Sequence, residues 1–140
     1  MPTTPKLQGA FHSWVDKALA RPIPEGTVAF HFNLYEGERS FHVQLIGSGQ
    51  FSREDSDWPC DETLTIGEDV FELPYSLVGT EWKTCLEMVK AAVLKYMAAG
   101  GKASVLRGCR GVGVGFVDGD VEIVWEAVPP NNSLELTRER

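Results

Sequence analysis

The sequence predicts an α+β domain: an antiparallel sheet of about five to six strands with two main helices packed on one face. Three observations predict it. Apolar residues recur with a helical period in two well-separated stretches. Between and after them the period falls to two, in runs joined by short glycine-containing turns. The composition also matches a chain that buries a core, with 43% of its 140 residues hydrophobic and 24% charged, close to the globular average. One domain is the usual organisation at this length. The reading places it at residues 1–128 and expects a polar, flexible tail over 129–140.

The first helix is expected over 7–19, where Leu7, Ala10, Phe11, Trp14, Val15, Ala18 and Leu19 fall on one face. Arg21-Pro22-Ile23-Pro24 ends it, because proline disfavours helical geometry before it and donates no hydrogen bond. A hairpin follows: Val28, Phe30, Phe32 and Leu34 alternate with polar neighbours, as do Phe41, Val43 and Leu45 beyond the Glu36-Gly37-Glu38-Arg39 turn. Short strands are expected over 63–66 and 70–73. Thr80 is read as the N-cap of the second helix, which carries Trp82, Cys85, Leu86, Val89, Val93, Tyr96 and Met97 on one face. Gly100-Gly101 is read as its left-handed C-cap, and 103–106 as a strand. Val112, Val114 and Phe116 form the next strand, and Asp118-Gly119 turns the chain into a last one over 121–125.

Charge and cysteine usage narrow the function classes. Twenty acidic against thirteen basic side chains leave a formal charge of −7. That balance argues against nucleic acid or an anionic membrane as partner, since both require a clustered excess of Lys and Arg. Cys60, Cys85 and Cys109 are odd in number and form no C-x-x-C pair, which fits a reducing, cytoplasmic setting.

Each outline of a chemical motif fails on a physical requirement. Gly111, Gly113 and Gly115 alternate with a strand's apolar residues, whereas a phosphate loop must lead into a helix N-terminus. Bare positions on one strand face instead leave room for bulky neighbours. His31 and His42 are expected on the polar hairpin face, facing solvent or a partner; two histidines alone make a poor zinc site. Asp55-Ser56-Asp57 lacks the glycine and closing Glu of a calcium loop. No metal or cofactor is expected.

The compositional outlier is the segment 47–62, with Glu54, Asp55, Asp57, Asp61 and Glu62 around Trp58 and only Arg53 opposing them. It reads in two ways. Trp58 tucks back on the core beneath a solvated loop, or it stands exposed among carboxylates as the anchor of a partner-binding surface. The candidate binding residues are therefore Glu54, Asp55, Asp57, Trp58, Asp61 and Glu62, extended by Glu36, Glu38, Asp118 and Asp120 if the two hairpin tips cluster.

Phe30-His31-Phe32-Asn33-Leu34-Tyr35-Glu36, Ile46-Gly47, Asp57-Trp58-Pro59-Cys60-Asp61-Glu62 and the stretch from Gly113 to Asp120 together resemble immunity proteins of bacterial polymorphic toxin systems. The resemblance spans residues 28–125 and implies a non-enzymatic, cytoplasmic protein that binds and neutralises a cognate toxin. It carries no functional residues over. Two other readings are a small hydrolase-like enzyme using Cys109 or the Asp57 and Asp61 carboxylates, and an accessory domain that dimerises through the glycine-rich strand.

Overall fold

The computed structural model describes residues 5–55, 57–65 and 70–127. The expected tail at 129–140 and the end of the predicted strand at Ile66 lie outside these residues. Helix α1 (Pro5–Leu19) leads to a hairpin of β1 (Ala29–Glu36) and β2 (Ser40–Ser48). A 3₁₀ turn (Trp58–Cys60) precedes β3 (Glu62–Thr65) and β4 (Phe71–Pro74). A short helix α2 (Tyr75–Val78), the long helix α3 (Trp82–Ala99) and a short helix α4 (Ala103–Arg107) lead to β5 (Gly111–Phe116) and β6 (Glu122–Glu126).

The six strands form one sheet in the order β3-β2-β1-β5-β6, with β4 on the outer edge of β2 beside β3. The fold is thus the expected α+β. One junction is parallel: β5 runs alongside β1 from Ala29↔Gly111 to Leu34↔Phe116. The cause is the crossover through α3, which returns the chain to the same end of the sheet before it re-enters beside β1. The remaining pairings are antiparallel.

In the hairpin, Glu36 pairs with Phe41. The chain between the strands is therefore residues 37–39, and the register lies two residues from one in which Glu36 would face Arg39. A shift of two preserves the side-chain faces, so Phe30, Phe32 and Leu34 still share a face with Phe41, Val43 and Leu45. α1 and α3 cover that face. Phe11, Trp14, Val15 and Ala18 from α1 meet Val89, Val93, Tyr96 and Met97 from α3 in the main core, together with Val112 and Val114 of β5.

Three local expectations are corrected. The stretch 103–106 is helical; so short an apolar run carries no decisive period. Helix α3 starts at Trp82 with Glu81 at the N-cap position and no side-chain cap, so Thr80 does not cap it. Gly100 has φ −70°, outside the left-handed region; a side chain there would collide with the Tyr96 ring, so close packing is what requires glycine. Tyr96 also ties α3 to α1: its hydroxyl donates to Asp16 Oδ1 at 2.6 Å. Among the described residues no helix is long and apolar enough to cross a membrane.

Candidate functional site: two acidic clefts at one end of the sheet

The face of the sheet turned away from α1 and α3 is covered by chain from the acidic segment. Ala29, Phe51 and Trp58 form a second small core there, with Val28, Val121 and Ile123 packed against it. The bare positions of β5 make this possible. A Cβ at Gly111 would run into the Phe51 ring. A Cβ at Gly113 would lie 2.8 Å from His31, 3.0 Å from Trp58 and 3.0 Å from Val121. The glycines thus admit bulky neighbours, as their alternation with valine predicts, and at Gly111 and Gly113 these include aromatic rings. β5 is an inner strand and its glycine face is covered within the chain itself.

Trp58 is only 1% exposed. The exposed-anchor expectation for it is wrong, and the reason is physical: an indole beside bare glycines buries more apolar surface inward than it would among carboxylates in water. Its role is to pin the loop. The Trp58 carbonyl accepts from Ser48 Oγ at 2.6 Å, and the Gly49 amide donates to the Asp61 carbonyl at 2.9 Å. The loop ends are therefore closed, as in an Ω-loop. Glu54, Asp55, Asp57, Asp61 and Glu62 are all exposed. Arg53, the opposing cation, is drawn away to Glu126 of β6 at 2.6 Å.

Two adjoining clefts open beside this loop. The larger, about 520 Å³, is lined by Tyr35, Glu36, Trp82, Phe116, Val117, Asp118 and Gly119. The smaller, about 260 Å³, has His31 and Asn33 together with Asp57, Pro59, Cys60, Glu62 and Val121. Both include Phe116, Val117 and Gly119, so the β5–β6 turn stands between them. The parallel register explains the gathering. Leu34 lies beside Phe116, and the Val117 amide donates to the Leu34 carbonyl at 2.9 Å. That brings the end of β1, with Glu36, alongside the turn that carries Asp118. The two hairpin tips do cluster.

An exposed aromatic is present here too, but it is Trp82. The helical period assigns it to the buried face of α3, yet it is 48% exposed. It is the first residue of the helix, and its ring meets the edge of Phe116 at 6.0 Å. Val117 beside it is 61% exposed. Tyr35 stacks on His42 with ring centroids 5.0 Å apart.

His31 is buried, not solvent-facing. Its Nδ1 lies 2.6 Å from Asn33 Oδ1 and its ring packs edge-on against Trp58. Burial holds its pKa down to about 4, partly offset by the Asn33 contact. His42 pairs across the hairpin with Tyr35, four residues from His31 along β1. About 13 Å therefore separates the two positions along the strand, too far for a shared metal ion. Among the described residues no group of three or more His, Cys, Asp or Glu side chains is arranged to hold a metal.

Burial raises the Cys109 thiol to about 11 and Cys85 to about 12, the reverse of what activates a nucleophile. The Leu106 and Gly111 carbonyls lie 2.9 and 3.1 Å from Cys109 Sγ. Asp57 and Asp61 are exposed on the loop surface rather than set in a desolvated pair. No family model, curated protein or solved structure matches the chain.

Proposed function

We propose that the protein is a non-enzymatic, cytoplasmic inhibitor of the immunity type, which binds a basic face of a cognate toxin with the two acidic clefts and the loop beside them. One observation carries the reading: carboxylates from three distant segments, Glu36, Asp57 with Glu62, and Asp118, line adjoining clefts around exposed Trp82 and Val117. Clustered charge raises the rate of encounter with a cationic partner. A half-buried tryptophan supplies the apolar anchor that interface energetics favour. The pinned loop adds pre-organisation, which lowers the ordering cost of association.

Within this reading the loop residues Glu54, Asp55, Asp57, Asp61 and Glu62 contribute charge, Trp58 holds them in place, and Trp82 takes the anchoring role. Co-expression with the toxin encoded beside its gene tests the function. A stable complex and loss of toxicity are expected. Unrelieved toxicity and no complex would refute the proposal.

A further inference from the structure

The larger cleft also indicates which side chain of the partner it receives. We infer that it is built for an arginine, whose planar guanidinium lies against Trp82 while Glu36 and Asp118 accept its N–H donors. The inference rests on the proposed protein-binding role and names the chemistry recognised at one point of that surface.

The cleft combines what a guanidinium uses and an ammonium uses less well. Arginine stacks on aromatic faces, reaches carboxylates with a fork of donors and sheds water easily; lysine is a compact, strongly hydrated point charge. Trp82 presents a half-exposed ring, and Tyr35 a second, partly exposed one. Glu36 and Asp118 come from opposite hairpin tips and line the same space, so a fork can address both. The Trp82 ring is receptive to cations within this chain: Lys83 Nζ lies 5.6 Å from its centroid, within cation–π range. That contact is between neighbours on an exposed helix end, and a partner's guanidinium can replace it.

The test titrates the full chain with two blocked pentapeptides, Gly-Arg-Gly-Arg-Gly and Gly-Lys-Gly-Lys-Gly, following the tryptophan indole N–H signals by NMR. Trp82 is assigned with a Trp82→Phe variant. The arginine peptide is expected to move the Trp82 signal with at least about fivefold higher affinity than the lysine peptide. The response should vanish in Glu36→Gln/Asp118→Asn, a pair of changes at exposed positions whose folding is checked by an unchanged melting curve. Equal response to both peptides, a response at other tryptophans only, or no response would overturn the inference. If the toxin binds at the clefts while the peptides do not discriminate, the arginine assignment fails and the inhibitor reading stands. If the arginine peptide seats at Trp82 but no toxin binds, the inhibitor reading fails alone.

Discussion

A Cβ placed on Gly115 would collide with the backbone carbonyl oxygen of Asp120, in the segment that leads into β6. A side chain could rotate away, but a backbone atom can move only if the chain leading into β6 shifts with it. Gly115→Ala is therefore expected to destabilise by about 1–3 kcal/mol, the usual range for overpacking, as measured by urea denaturation. Gly119→Ala is the control, because its nearest neighbours would be 3.7 Å away. The glycine alternation was legible in the sequence as a call for close approach. What approached was not, because Phe51 and Trp58 lie more than fifty residues earlier in the chain. His31 makes a second prediction at this scale. Its folded pKa, about 4, lies below the ordinary histidine value of 6.5, so the unfolded chain binds the proton more readily. Its contribution to stability is complete above 6.5 and is lost progressively as pH falls toward 4. Between pH 7.5 and 5.5 the loss amounts to about 1 kcal/mol. Comparison of wild type with His31→Gln over that interval should show the difference, and parallel curves would contradict it.

Among the elements, helix α3 rather than the loop 49–61 supplies the exposed tryptophan, and of the two readings of Trp58 the one that tucks it onto the core holds. Period and composition describe surroundings in one dimension. Carboxylates around Trp58 left a tucked and an exposed setting equally open, and its ring turns under the loop onto bare β5. Helical spacing puts Trp82 in line with Cys85, Val89 and Val93, but the first residue of α3 lies at the cleft instead of under the sheet. Opposite consequences follow for mutation. Trp58→Ala should cost about 3–5 kcal/mol by leaving a cavity and freeing the loop. Trp82→Ala should change stability by less than about 1 kcal/mol, as for other surface changes. Thermal or chemical unfolding of the two variants separates these outcomes. The helix at 103–107 and the register of the hairpin turn were not legible, since five apolar-rich residues and one glycine fit several geometries.

Across the whole molecule, the fold class, both long helices and the central hairpin could be read from periodicity, because those elements bury a full face. The parallel junction between β1 and β5 could not, as it depends on where α3 delivers the chain. That junction nevertheless creates the candidate site. It aligns the Leu34 and Phe116 ends of two strands and sets Glu36 beside Asp118, next to the loop carboxylates. Acidity visible as a net charge thereby becomes a local surface with an apolar anchor. The measurement closest to this claim is the toxin affinity of Trp82→Ala/Glu36→Lys/Asp118→Lys against that of Glu72→Lys, an exposed charge reversal on β4. The cleft variant is expected to bind about 100-fold more weakly or worse, as for loss of an interface hot spot, while Glu72→Lys stays within about fivefold of wild type. Equal weakening by both, or an unaffected cleft variant, would contradict it.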